Sequence, residues 1–192
     1  MNNINAQYGV ALVTGGAGFI GSHLVTRLLQ EGLKVVSVDD YSSGKEKNLA
    51  HLEGDKNLVT EKCDVTDYVR LEEIFQEHRF DVVFHNAASK KNICLKDPKR
   101  DLEVNGAGTY NILHLSREYG VKKVVHASTG SVYGEAQYFP QDETHPLVPL
   151  SFYGVSKLAG EKYCKMFTEV FGLDTTVLRY FHVYGPRQES DD

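Results

Sequence analysis

The chain has 192 residues, 41% of them hydrophobic and 24% charged, which suits one folded soluble domain with a substantial core and not a disordered segment. A formal net charge of −5 gives no electrostatic reason to expect nucleic acid, and no apolar run approaches the ~20 residues of a membrane helix. Cys63, Cys94 and Cys164 are odd in number and widely spaced, so they suggest neither a metal-binding pair nor a disulfide framework; with a polar, leader-free N-terminus, a reducing cytoplasm is the simplest setting.

Short β-rich runs alternate with longer helical patterns. "GVALVTG" (9–15) reads as a buried strand, and "IGSHLVTRLLQEG" (20–32) as an amphipathic helix stopped by Gly32. Strands follow at 34–40 and 57–65, a helix at 71–79, and a fourth strand at 81–88. A long helix is expected from Asp101 to Tyr119, stopped by Gly120, then a fifth strand at 121–128. A polar loop (134–150), a helix opening at "SFYGVSKLAGEKY" (151–163) and a sixth strand (174–180) complete the pattern. Continuously apolar strands alternating with helices imply an α/β, doubly wound, Rossmann-type parallel sheet covered on both faces.

"TGGAGFIG" (14–21) lies between the first strand and the first helix, with Gly16, Gly18 and Gly21 at G-x-G-x-x-G spacing and Gly15, Gly18 and Gly21 at GxxGxxG. Such a turn lets backbone approach a pyrophosphate at the positive end of a helix. Asp39 closes the second strand 18 residues after Gly21, where a carboxylate can accept both hydroxyls of an adenosine ribose and repel a 2′-phosphate. NAD is therefore favoured over NADP. Asp40 is adjacent and could share the role, or serve only as a turn residue.

From Val10 to Gln188 the chain resembles the extended short-chain dehydrogenase/reductases, the nucleotide-sugar epimerases and dehydratases. The likeness rests on an ordered set: "TGGAGFIGSH", "CDVTD", "HNAASK", "VNGAGT", "STGSVYG", "YGVSK" and "RYFHVYGPRQ". It implies a cofactor set of Gly15, Gly18, Phe19, Ile20 and Gly21, then Asp39, Asp40, Tyr41 and Ser43, then Asp64 and Val65 against the adenine. Asn86, Ala87, Ala88 and Lys90, with Asn105, Ala127, Tyr153, Lys157, Tyr180 and Phe181, would complete it. The implied catalytic residues are Thr129, Tyr153 and Lys157; the implied substrate contacts are Thr129, Ser131, Tyr153 and His182. The family carries Asn where His182 stands, which weakens the inference of diphosphate binding there. It also carries a substrate lobe mostly beyond Asp192, so residues 1–192 are expected to form the NAD-binding domain with that lobe largely absent.

The chemistry asks for these residue types. Taking hydride from a sugar carbon requires the hydroxyl proton to leave at nearly the same time, so a base must sit on that hydroxyl. Tyrosine is a poor base at neutral pH, but an ammonium at ~4 Å is worth roughly 4 kcal/mol at an effective dielectric of 20, about three pKa units. At i, i+4 spacing Lys157 shares a helix face with Tyr153. The same spacing occurs at Tyr41/Lys45 and Tyr119/Lys123, but only Tyr153 follows a strand that presents a Ser/Thr pair. His85 reads as a satisfied core histidine, and the eight histidines show no metal-ligand spacing, so no metal is assigned. Ser128 reads as a second hydroxyl near the nicotinamide or a strand-end hydrogen bonder, and Tyr133 equally as a sugar contact or a packing residue.

Dehydratases of this family carry an Asp-Glu pair just after the catalytic threonine, where this chain has Gly130-Ser131. The expectation is therefore redox at one carbon: 4-epimerisation of a nucleotide sugar, most simply a UDP-hexose, through a 4-keto intermediate. A nucleotide-sugar dehydrogenase, reductase or dehydratase, or a non-catalytic NAD(H)-binding module, is the alternative. The resemblance also implies a homodimer pairing the 101–119 and 151–171 helices.

Overall fold

The computed structural model describes residues 4–89 and 91–188. Its strands are β1 (Val10–Thr14), β2 (Lys34–Asp39), β3 (Leu58–Lys62), β4 (Val82–His85), β5 (Lys123–Thr129) and β6 (Thr175–Tyr180). They form one sheet in the order β3-β2-β1-β4-β5-β6, with every neighbouring pair parallel. The helices are α1 (Phe19–Gln30), α2 (Tyr68–His78), α3 (Lys91–Cys94), α4 (Pro98–Leu102), α5 (Thr109–Glu118) and α6 (Phe152–Phe171).

Burial shows why the strands lack polar alternation. Ala11 and Val13 of β1 pack with Val25 and Leu28 of α1, whereas Leu12 between them packs with α2, α5 and α6 residues such as Phe75, Ile112 and Cys164. Successive side chains point to opposite faces, and both faces are covered, so each must be apolar. The chain leaves β1 toward β2 on one side and returns beyond it to β4 on the other, which opens a crevice at the strands' C-terminal edge.

Three local features depart from the sequence expectation. Helix α2 begins at Tyr68 because Asp67 caps it, accepting from the Arg70 N–H at 3.1 Å. Between β2 and β3, where no element was expected, two short 3₁₀ turns run over Glu46–Asn48 and Ala50–Leu52. The expected long helix is instead α4, a π-helical segment Glu103–Gly108, and α5. Glycines at 106 and 108 suit that wider turn: a Cβ on Gly108 would meet Val65 Cγ2 at 2.6 Å. Such bulges change the angular phase of a helix, and here the segment carries the fully buried Asn105.

Candidate active site

Every strand from β1 to β6 sends its C-terminal end toward one cavity of about 550 Å³. Gly15 follows β1, Asp39 ends β2, Asp64 and Val65 follow β3, and Asn86, Ala87 and Ala88 follow β4. Ala127, Ser128 and Thr129 end β5, Tyr180 ends β6 and Phe181 follows it, and Tyr153 and Lys157 reach in from α6. Gly18, Phe19, Ile20, Gly21, Asp40 and Ser43 complete the expected residues that the cavity gathers.

The glycine turn is built for backbone contact. Gly15 has φ of +66°, and a Cβ there would lie 2.8 Å from the Ala87 nitrogen. A Cβ on Gly21 would lie 2.0 Å from the Gly15 carbonyl oxygen, so helix and turn touch only because both residues are glycine. Helix α1 starts at Gly18 without a side-chain cap, leaving its first N–H groups for an anion in the cavity. Asp39 braces the turn: Oδ2 accepts from the Ala17 N–H and Oδ1 from the Tyr41 N–H, each at 2.9 Å. Burial raises its carboxyl pKa above the usual value, and these backbone bonds pull it back. A carboxylate keeps further lone pairs after two such bonds, enough for ribose hydroxyls.

At the same end Arg100, on α4, ion-pairs with Asp64 and lies 3.5 Å from Asp40. Asp64 also accepts from the Thr66 N–H at 2.9 Å, and its carboxyl is held below the usual range by these bonds, against the desolvation that opposes them. Three carboxylates (Asp39, Asp40, Asp64) against one guanidinium leave this end net negative, unfavourable for a 2′-phosphate.

The opposite end holds the expected catalytic set. Ser151 caps α6, accepting from the Gly154 N–H at 3.0 Å, so Tyr153 stands in the first turn with Lys157 one turn on. Thr129 Oγ1 accepts from the Ser131 N–H at 3.1 Å, which leaves its own proton to donate. The Ser128 hydroxyl gives its proton to Glu161, and Arg179 clasps the same carboxylate at 2.8 Å from Nη2 to Oε2. Arg179 also donates to the Tyr133 hydroxyl at 2.9 Å, which tethers that ring to β6, and Tyr133 is not among the residues lining the cavity.

Beneath this set lies a dry polar layer. Lys157 is 1% exposed, and its Nζ has no hydrogen-bond partner among the described residues. Burial lowers its pKa to about 8. His85 stacks on His126 at 5.4 Å between ring centroids. Thr109 spends its proton on the Asn105 carbonyl at 2.7 Å, so His85 carries its proton on Nε2 and donates to Thr109 Oγ1 at 3.0 Å, while Nδ1 accepts from Thr14 at 2.7 Å. His85 is thus satisfied at both nitrogens, with a pKa lowered to about 3 by burial first and by Lys157 second.

One electrostatic expectation fails in this state. Tyr153 was expected to be depressed by Lys157, yet its pKa is raised, by burial first and by the Asp101 charge second, against a hydrogen bond from Thr129. Desolvation of the phenolate and the Asp101 charge outweigh that bond, so the phenol stays protonated at neutral pH unless positive charge arrives.

Several expected residues do not line the cavity. Tyr41 has φ of +60°, and its ring turns back to pack against the cluster of Leu49, Val35 and Ala11. Asn105 is fully buried behind the site, donating to Asp101 Oδ1 at 3.0 Å and Ser156 Oγ at 3.1 Å and accepting from the Ser89 N–H at 3.0 Å. Ser131 contributes only its backbone to Thr129, and His182 is exposed past β6. Lys90 lies outside the described residues. Tyr119 caps α5, with its hydroxyl accepting from Gln76 Nε2 at 3.0 Å, away from the cavity. Conversely, the cavity includes Arg100, Ser42, Gly44 and Cys63, which were not anticipated. Gly44 carried a readable signal, a glycine closing the "YSSG" turn after Asp39; a Cβ there would meet the Asp39 carboxylate at 2.6 Å.

Comparison with known proteins agrees with this geometry. The model of the NAD dependent epimerase/dehydratase family matches residues 11–192. The UDP-glucose 4-epimerase of Mycolicibacterium smegmatis is 42% identical over 182 residues, covering 93% of this chain and 57% of that protein. The Thermotoga maritima UDP-glucose 4-epimerase, solved with UDP-glucose, aligns with a TM-score of 0.88 at 43% identity, over 94% of this chain and 58% of that one. The Thermus thermophilus UDP-glucose 4-epimerase, solved with NAD, gives a TM-score of 0.87 at 42% identity, over 94% and 57%. The chain therefore spans a little over half the length of these relatives. A parallel sheet whose strand ends meet a glycine turn, an acid after β2 and a Tyr-Lys helix, matched along 11–192, places the chain in the NAD dependent epimerase/dehydratase family.

Proposed function

We propose that the protein is an NAD-dependent nucleotide-sugar epimerase that inverts C4 of a UDP-hexose through a 4-keto intermediate. The observation that carries this reading is the convergence of Thr129, Tyr153 and Lys157 on one end of the cavity, with every cavity-lining acid (Asp39, Asp40, Asp64) among the described residues gathered with Arg100 around the β2 and β3 ends. Elimination would need an acid beside the reacting carbon; none lines the catalytic end.

The residues fit NAD. The uncapped start of α1 and the glycine turn would take the pyrophosphate, Asp39 the adenosine ribose, and the orphaned Lys157 Nζ a hydroxyl of the second ribose. NAD, when bound, supplies the hydride acceptor and donor and a positive ring charge beside the phenol. Tyr153 then takes the C4 hydroxyl proton as hydride leaves that carbon, and returns it when hydride comes back to the other face, so no proton or electron is gained overall. Thr129 donates to the same sugar oxygen. The names of the relatives support UDP-glucose as the first substrate to try.

The test is incubation of the protein, expressed from its complete reading frame, with UDP-glucose and NAD, following C4 configuration by NMR. Appearance of UDP-galactose is the expected result. Unchanged C4 stereochemistry across UDP- and dTDP-hexoses, with NADH accumulating, would instead support the dehydrogenase.

A homodimer in a reducing cytoplasm belongs to the same reading. No helix among the described residues is long and apolar enough to cross a membrane, and Cys63, Cys94 and Cys164 are all buried. Val155, Tyr163, Met166 and Val170 form an exposed stripe along α6, beside exposed Tyr110 of α5. Met166→Glu with Val170→Glu is expected to convert a dimer to a monomer in analytical ultracentrifugation; an unaltered sedimentation coefficient would place the interface elsewhere.

A further inference from the structure

Two buried polar atoms on facing helices lack partners. Asp101, on α4, is 1% exposed; its Oδ1 accepts from Asn105, but its Oδ2 has no hydrogen-bond partner among the described residues. Lys157 Nζ, on α6, is equally buried and equally unpartnered. The two helices are tied at this level, because the Asn105 amide bridges Asp101 Oδ1 and Ser156 Oγ, the residue preceding Lys157. An isolated buried carboxylate or ammonium is costly, and the cost falls steeply when each lies in the field of the other.

We propose that Asp101 is the buried counter-charge of Lys157: it keeps the Lys157 side chain an ammonium beside the Tyr153 phenol. The proposal rests on the epimerase reading for its purpose, but not for its physics.

The other groups around Lys157 leave Asp101 as the uncompensated anion. On α6 itself, Glu161 is already clasped by Arg179 and takes the Ser128 proton, and the Cys164 thiol is pushed up to about 12 by burial. From β4 and β5, His85 and His126 are driven neutral, chiefly by burial. Tyr153 is a neutral phenol, faced by Asp101 and by Cys94 of α3. Asp101, whose carboxyl is raised by burial and lowered first by a Ser156 hydrogen bond and then by Lys157, is left to balance the ammonium. Burial brings Lys157 down to about 8, with Cys164, Asp101 and Glu161 opposing the fall in that order. Removing that charge moves deprotonation toward and below neutral pH, since an opposite charge favours the charged form.

Asp101→Asn tests this, because an amide keeps the oxygen that accepts from Asn105 and loses only the charge. The readout is the Lys157 Cε resonance in protein labelled with ¹³C-lysine, assigned by its disappearance in Lys157→Arg and titrated with NAD absent and present. The expected result is a midpoint about one pH unit or more lower in Asp101→Asn, a tenfold or larger loss in proton affinity, with Asp101→Glu close to the parent. A midpoint within 0.2 pH units of the parent (~0.3 kcal/mol), in a variant that still binds NAD, would overturn the proposal. Should Asp101→Asn not fold, the reciprocal measurement decides: in Lys157→Met the Asp101 carboxyl should titrate about one unit higher, and an unmoved carboxyl refutes the pairing. Absence of epimerisation in the parent protein, with these titrations as expected, would sink the epimerase reading and leave the counter-charge standing.

Discussion

Tyr153→Phe is expected to lower turnover by about 10²–10⁴-fold, the usual worth of a positioned acid–base group, while leaving NAD binding and folding nearly intact. The ring that lines the cavity is retained, and α6 keeps its Ser151 cap and its Glu161–Arg179 anchor to β6. What disappears is one hydroxyl, placed among the described residues to take and return a proton there. Thr129 is too weak a base, and Lys157, lowered by burial to about 8, is mostly ammonium at neutral pH. The pH response should also change in kind. Because the phenol must be ionised to take the hydroxyl proton, the parent enzyme's kcat should rise with pH as the phenolate fraction of the bound complex grows. The phenylalanine variant should show a flat residual rate over the same range. Turnover within threefold of the parent, with the rising limb preserved, would show that another group serves as base.

That electrostatic setting marks the boundary of what was legible in the chain. The strands could be read because a sheet covered on both faces needs uninterrupted apolar runs, and β1 from Val10 to Val13 is such a run. The glycine turn and Asp39 could be read because their spacing along the chain is itself a pattern, although Asp39 meets the Ala17 N–H, 22 residues away, only through the fold. Asn105 could be found by likeness but not placed. Its position depends on the π-helical segment, which turns it away from the cavity and onto Asp101 and Ser156. Arg100 was invisible for a related reason: its partner Asp64 lies 36 residues earlier and reaches it only through the fold. Tyr41 does not line the cavity because its side chain follows a backbone turn at positive φ, which no side-chain pattern announces. The Tyr153–Lys157 pair was found at its correct spacing, yet burial and the Asp101 charge govern the direction in which the phenol's pKa moves. Spacing sets which groups are neighbours, whereas desolvation depends on everything packed around them.

Gly21→Ala should abolish NAD binding and destabilise the fold, and it isolates the part of the site that is pure backbone geometry. The added methyl would sit 2.0 Å from the Gly15 oxygen, 2.8 Å from its carbonyl carbon and 2.9 Å from Gly16 Cα. No rotamer can relieve this, because the obstacle is main chain and the methyl has no torsion that moves it. Either α1 must withdraw from the turn, or the turn must move outward into the space where a pyrophosphate would bind. Retreat of α1 also disturbs Val25 and Leu28, which pack against β1 on that face of the sheet. Overpacking of this kind costs about 1–3 kcal/mol even in cores that can adjust, and a backbone obstacle puts the expected loss at or above the upper figure. Gly18→Ala is the informative companion, since its Cβ would meet only the Gly15 oxygen, at 3.1 Å, a contact that a few tenths of an ångström relieve. It should therefore fold nearly as well as the parent, and the pair separates tight helix–turn packing from access to the phosphate site. Urea denaturation and NAD titration by calorimetry, run on both variants, give the two readouts. Full NAD affinity in Gly21→Ala would mean that the turn yields without closing the anion site.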